Sequence, residues 1–334
     1  MYFIIVSYLL GEFILEIQYL SKEKKEPLEP QSKILFTGLD AAGKTSIILA
    51  LQREFSKIAL LKPTRGAQRR IFEFLGREIS EWDLGGQISY RISYLKNPGK
   101  YFDGTEIAIY VIDIQNKARI PEALSYFKDV VEQFRKLEIE PPIYIFFHKY
   151  DPALRRNAMN EFKTLEVDLK EKLRKSVDYK YIYFYNTSIY DLNSIISAMS
   201  EILLNLYPKA ELISKTIDEF AKKVDSEGVV VIDDNSLIIG SYYRDEETKN
   251  LLSASTPYFL TLNDSFQFTQ VMPGKIEEEG KMVVQRFGRN FIFKKLNIRG
   301  AKTSYYLLML KGDPNIDRED FDSFANIMTE ILFK

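Results

Sequence analysis

Along the chain, short continuous apolar runs alternate with segments of helical period. Lys33–Thr37 (KILFT), Ile107–Ile112 (IAIYVI) and Ile143–Phe147 (IYIFF) are apolar throughout, the pattern of strands covered on both faces. Arg69–Leu75 and Glu78–Asp83 alternate polar and apolar positions and read as half-buried strands, with Tyr181–Tyr185 as a further strand. Helical periodicity covers about Lys44–Phe55, Ile120–Leu137, Met159–Lys175 and Leu192–Leu206. Strands alternating with helices predict right-handed crossovers, a mostly parallel sheet, and ligands at the carboxyl ends of its strands.

Beyond residue 208 the pattern changes. A helix over about Ala210–Val224 precedes strands Val229–Asp233 and Leu237–Tyr243, joined by Asp234, Asn235 and Ser236. A helical stretch within Asp245–Leu262 follows, then strands Met282–Phe287, Asn290–Leu296 and Ser304–Lys311, and a helix over Arg318–Phe333. Gly288-Arg289 signals a hairpin. This order predicts an α+β domain on an antiparallel sheet. The expected division is therefore 1–30, 31–208 and 209–334.

The segment 2–20 is strongly apolar but carries Glu12 and Glu16 beside Ser7, Gly11 and Gln18 on one side of a helical wheel. It reads as an amphipathic helix docked on protein or lying at a membrane surface, with a membrane anchor as the alternative. It has neither the basic n-region nor the small-residue cleavage site of a signal peptide, and Tyr2 does not support N-myristoylation. Lys22–Glu26, followed by Pro27 and Pro30, reads as a solvated linker, or as a lipid-attracting basic patch. The expected location is cytoplasmic, with peripheral membrane contact through residues 2–20 left open.

Composition narrows the chemistry. The 46 Lys+Arg and 47 Asp+Glu nearly cancel, so no electrostatic case for nucleic acid exists. There is no cysteine and one histidine, His148, which removes thiol chemistry and makes histidine metal clusters and serine-type triads poor candidates. A phosphate-handling mechanism built from backbone amides, Lys, Thr, Asp and magnesium needs neither residue type.

The motifs supply that mechanism. Gly38-Leu-Asp40-Ala41-Ala42-Gly43-Lys44-Thr45 matches the phosphate-loop pattern between a predicted strand and helix. Its glycines let the backbone amides turn toward phosphates, Ser46 continues into the helix, and the helix N-terminus adds positive partial charge. Lys44 is expected to reach the β- and γ-phosphates and Thr45 to ligate Mg2+. Trp82-Asp83-Leu84-Gly85-Gly86-Gln87 ends a strand: Asp83 is expected to hold magnesium, the Gly86 amide to contact the γ-phosphate, and Gln87 to orient the attacking water. Thr64 is expected to add a hydroxyl to magnesium only when a γ-phosphate is present, which makes its segment a switch. Arg65, beside it, reads as solvated rather than as an arginine finger. In His148-Lys149-Tyr150-Asp151, Asp151 can accept hydrogen bonds from guanine N1 and N2, and the Lys149 stem can pack over the base. His148 can donate one bond, to the base or to the phosphate loop. Ser188 and Ile189 are expected to offer backbone amides to guanine O6. The 21 tyrosines and 23 phenylalanines sit mostly in strand and helix patterns and read as core.

These elements, in this order over about Ser32–Tyr207, resemble the Ras-superfamily small GTPases. GLDAAGKT and WDLGGQ look like the Arf and Arf-like branch. HKYD at His148–Asp151 and TSIYD at Thr187–Asp191 look like the Rag/Gtr branch, which carries His in place of Asn and a C-terminal roadblock-like domain. The resemblance implies a P-loop GTPase domain with a mostly parallel sheet, then an α+β roadblock/longin-like domain. It implies GTP/GDP and Mg2+ as ligands, a homo- or heterodimer through the C-terminal domain, and an exchange factor and a GTPase-activating protein as partners. Two further readings stand beside a slow GTPase: a dimeric scaffold with nucleotide as a structural ligand, and an ATPase, since the phosphate loop alone does not choose the base.

Overall fold

The computed structural model describes residues 32–157, 159–268, 281–286 and 288–333. The segment 2–20 and the charged linker after it lie outside the described residues, as does Phe287. The first sheet contains β1 (Ser32–Gly38), β2 (Ala67–Phe74), β3 (Arg77–Leu84), β4 (Thr105–Asp113), β5 (Ile143–His148) and β6 (Ile182–Thr187), in the order β2-β3-β1-β4-β5-β6. All neighbours are parallel except β2, which pairs antiparallel with β3.

The continuous apolar runs lie in the middle of this sheet, and successive residues face opposite layers. Ile34, Phe36, Ile107, Ile109, Val111, Tyr144 and Phe146 face α1 (Lys44–Leu51) and α5 (Leu192–Leu204). Leu35, Ala108, Tyr110, Ile112, Ile145 and Phe147 face α2 (Ile88–Lys96), α3 (Ile120–Lys136) and α4 (Met159–Ser176). Both faces being covered is why these strands carry almost no polar alternation.

The second sheet contains β7 (Gly228–Asp233), β8 (Ile238–Tyr243), β9 (Lys281–Arg286), β10 (Arg289–Leu296) and β11 (Tyr305–Lys311), ordered β8-β7-β11-β10-β9 and antiparallel throughout. The same period-2 rule applies. Val229, Val231, Leu307 and Met309 face α6 (Ala210–Lys223) and α8 (Arg318–Phe333), while Val230, Ile232, Leu308 and Leu310 face α7 (Glu246–Phe268). Phe220 of α6 stacks on Phe324 of α8 with ring centres 4.2 Å apart.

The two sheets share one apolar cluster, which runs from Ile47 and Ile202 through Ile213, Phe220 and Val231 to Met328. Residues Ser32–Lys334 accordingly form one unit. The helix after the phosphate loop ends at Leu51, short of the expected Phe55, because Arg53 takes a left-handed φ of 58°. The helix α2 after Gln87 was not legible in the apolar pattern, since Ile88 and Ile92 point to solvent. Among the described residues, no helix is long and apolar enough to cross a membrane.

Candidate nucleotide site

The site forms where β1, β3, β4 and β5 end. Gly38 closes β1 with φ 132°, and Gly43 precedes α1 with φ 103°. Neither position admits a side chain: a Cβ on Gly38 would lie 2.4 Å from the Val111 carbonyl oxygen, and one on Gly43 would lie 2.3 Å from the His148 ring. The loop between them borders a cleft of about 290 Å³, lined by Asp40, Ala41, Gly43, Lys44, Thr45, Ser46, Gly86, Gln87 and Lys149, and by Leu61–Thr64. Gly38 and Ala42 are not among the residues lining it.

Lys44 is buried and curls over the loop, its Nζ donating to the carbonyls of Leu39 at 2.8 Å and Gly38 at 3.1 Å. Burial pushes its pKa down to about 8, partly offset by Asp83 and Asp40. A polyanion in the cleft would raise it again.

Three oxygen-bearing side chains converge at the foot of the cleft. Thr45 Oγ1 donates to Asp83 Oδ2 at 2.5 Å and lies 2.7 Å from Thr64 Oγ1. Asp83 Oδ1 is buried and has no hydrogen-bond partner. A carboxylate oxygen left bare beside two hydroxyls is a hard-oxygen donor set, and it suits a small divalent cation that keeps waters in its shell.

The turn after β3 is pressed against the loop. A Cβ on Gly86 would lie 2.0 Å from the Asp40 amide nitrogen, and one on Gly85 would lie 2.6 Å from the Thr64 carbonyl oxygen. The Gly85 amide donates to the Gly66 carbonyl at 2.9 Å, which ties this turn to the segment carrying Thr64. Gln87 follows as the first flanking residue of α2, in an extended conformation at the cleft rim. Arg65 is exposed, as expected.

At the base-side end, Ser188 Oγ donates to Asp151 Oδ1 at 2.5 Å. Gln115 Nε2 donates to Asp151 Oδ2 and to the Lys149 carbonyl, both at 2.8 Å. Lys149 Nζ reaches Asp113 at 2.7 Å. The Ser188 amide donates to Ser194 Oγ at 3.0 Å, while its hydroxyl donates to Asp151. Ile189 packs its side chain against the core.

His148 is 1% exposed, lies against Gly43, and has Nδ1 2.9 Å from Thr187 Oγ1. Burial, with Lys149 beside it, pushes its pKa down to about 3, so the ring is neutral.

Sequence reasoning passed over Arg119, whose Nη2 donates to Asp40 Oδ1 at 2.8 Å and Nη1 to the Asp40 carbonyl at 3.1 Å. It also passed over Gln115 and Ser194. Arg119 and Gln115 have no local signal, because each acts on a residue brought near only by the crossovers of the sheet, whereas Ser194 acts locally on Ser188.

A family model described as the Gtr1/RagA G protein conserved region matches residues 33–265. ADP-ribosylation factor-like protein 3 of Chlamydomonas reinhardtii is 35% identical over 123 residues, which are 37% of this chain and 65% of that protein. ADP-ribosylation factor F of Dictyostelium discoideum is 29% identical over 119 residues, 36% of this chain and 60% of that protein. The chain thus spans less than two thirds of the length of these curated relatives. A structure of the Arl6 BBS3 small GTPase from Trypanosoma brucei, with bound nucleotide analogue GppNp, aligns at a TM-score of 0.38 and 18% identity, covering 52% of this chain and 96% of that one. The match over residues 33–265 takes in the phosphate loop, the Asp83–Gln87 turn and the His148–Asp151 segment, and the chain belongs to the Gtr1/RagA G protein family of the Ras-superfamily small GTPases.

Proposed function

We propose that this protein binds GTP and GDP with Mg2+, hydrolyses GTP slowly, and uses the difference between the two states as a switch. The observation that carries this reading is the meeting of Thr45, Thr64 and the bare Asp83 oxygen beneath the phosphate loop. Thr45 and Thr64 would hold the magnesium directly and Asp83 through water. A magnesium held there would supply positive charge against the phosphates.

The chain's own groups do the rest. The loop residues Gly38, Asp40, Ala41, Ala42, Gly43 and Ser46 present amides to the phosphates, and Lys44 leaves the Gly38 and Leu39 carbonyls for the β- and γ-phosphate oxygens. Gly86 brings an amide to the γ-phosphate, and Gln87 orients the attacking water. Thr64 senses the γ-phosphate and carries the order of its segment with it. Asp151 selects guanine, Lys149 covers the base, the Ile189 amide meets O6, and His148 supports the loop from behind. A rate of about 10⁻⁴–10⁻² per second is the scale of such unassisted switches. An exchange factor and a GTPase-activating protein are the partners such a rate calls for.

Residues 209–334 are assigned as a roadblock-like domain that dimerises, with itself or with a related chain. Support comes from the antiparallel sheet between one helical layer and another, and from Val283 and Val284, which are 41% and 40% exposed on edge strand β9. The competing scaffold reading, with nucleotide as a structural ligand, is favoured by the core shared between the two sheets. Single-turnover hydrolysis separates the two. Turnover that falls in Gln87→Leu with GTP binding retained supports the switch, and negligible turnover in the wild type with nucleotide-independent dimerisation supports the scaffold.

A further inference from the structure

The helix α2 that follows Gln87 has few anchors. Ile88 and Ile92 are 66% and 48% exposed, the fully buried residues of α2 are Arg91 and Tyr94, and Tyr90 and Leu95 pack against the core partly buried. Arg91 sits one turn beyond Gln87, its amide donating to the Gln87 carbonyl at 3.0 Å. Whatever holds the Arg91 side chain therefore holds the start of the helix.

The Arg91 guanidinium donates to Glu122 Oε1 and lies 5.0 Å from the ring centre of buried Tyr126. The Tyr126 hydroxyl is 3.2 Å from Thr37 Oγ1, at the end of β1. The other carboxylate oxygen of Glu122 accepts from Arg119 Nε at 3.1 Å. Arg119 is the residue whose two terminal nitrogens hold the side chain and carbonyl of Asp40 in the phosphate loop. One carboxylate on α3 thus joins the loop, through Arg119, to the helix behind Gln87, through Arg91. Charge balances along the route, with two guanidiniums and two carboxylates. Arg119, then Arg91, holds the Glu122 carboxyl below the usual carboxylate range.

We propose that Glu122 is a positioning residue: it ties the phosphate loop to α2 and so fixes where Gln87 stands relative to the phosphates. Its role in hydrolysis rests on the GTPase reading above; the tie itself does not. Removing the Glu122 charge leaves Arg91 buried beside a neutral partner, and a buried guanidinium without its counter-charge moves toward water. Arg91 is the polar anchor of α2 nearest Gln87, beside the apolar anchors Tyr90, Tyr94 and Leu95, so the start of α2 loosens with it.

The test uses the purified full chain with Glu122→Gln, with Arg91→Lys as a second variant that keeps the cation but not the planar fork. Glu132→Gln, on the same helix in an exposed pair with Arg135, is the control. Amide hydrogen exchange is measured over 39–43 and 88–96, alongside single-turnover GTP hydrolysis and GDP affinity. Both variants are expected to speed exchange in both segments and slow hydrolysis by about tenfold, the scale of one charged hydrogen bond. Exchange in Gly228–Asp233 should stay unchanged, and GDP affinity should fall less than the hydrolysis rate. Unchanged exchange over 88–96 in both variants overturns the proposal, whatever the turnover. Loosening of both segments in a protein whose wild type does not turn over GTP upholds the tie and overturns the GTPase function instead.

Discussion

His148 is the single histidine in the chain, and its ring stays neutral beneath Gly43 because the surroundings are too poorly solvated for a cation. The folded pKa of about 3 lies below the ordinary value of 6.5, so between these limits the unfolded chain binds more protons. Stability from this residue is present above pH 6.5 and is lost as pH falls, with a slope of at most about 1.4 kcal/mol per pH unit. The one imidazole signal in a proton NMR spectrum should show no titration above pH 5, and His148→Asn should flatten the acid limb of stability. An imidazole titrating near its ordinary value would contradict the placement. Gly86 gives a second prediction. A Cβ there would meet the backbone at Asp40 N, 2.0 Å away, so Gly86→Ala must displace the loop or the turn. It should weaken GTP more than GDP by about tenfold in calorimetry, the scale of one charged hydrogen bond; equal loss for both nucleotides would place Gly86 away from the γ-phosphate. At this scale the sequence was informative wherever a residue acts through its own backbone or a neighbour: the loop glycines, Lys44, Thr45 and Asp83. It was silent on Arg119, which is 79 positions from Asp40.

The β2–β3 hairpin links the nucleotide site to the second sheet. Its strands carry Asp83 at one end, and its tip at Leu75-Gly76 lies against Phe333 of α8, with a Gly76 Cβ position only 3.1 Å from that ring. Glu73 pairs with Lys302 at 3.5 Å, and Arg77 donates to the Leu206 carbonyl at 3.3 Å. At the far end of α1, Arg53 pairs with Asp264 of α7 at 2.6 Å and donates to Thr261. These pairs are partly exposed, so each stabilises by about 1 kcal/mol or less. Arg53→Ala should therefore change the melting temperature little while speeding amide exchange in α7; a loss of several degrees would show that this pair matters more than its exposure suggests. The strands and long helices were readable because their apolar period reports which faces are covered. The short helix α2 was not, because its packed positions Tyr90, Tyr94 and Leu95 are interleaved with the exposed Ile88 and Ile92 and the buried Arg91, which blurs the stripe.

The shared apolar cluster makes one molecule of two sheets that the sequence pattern presented as separate segments, since periodicity reports that a face is buried but not what buries it. Trp82, the only tryptophan, reports on the first sheet, while Phe220 lies between α6 and α8 beside the second. Phe220→Ala should remove about 3–5 kcal/mol. It should lower the temperature of the Trp82 fluorescence transition as well as that of the whole-chain transition; an unmoved Trp82 transition would mean that the sheets unfold independently. At this scale the central claim is that the site discriminates guanine nucleotides with magnesium. It is tested most directly by calorimetric titration of the wild-type chain with Mg–GTP and with Mg–ATP. The account predicts binding of GTP at least about a hundredfold tighter, from the two hydrogen bonds Asp151 accepts from guanine and adenine cannot offer. Equal affinities, or a preference for ATP, would contradict it.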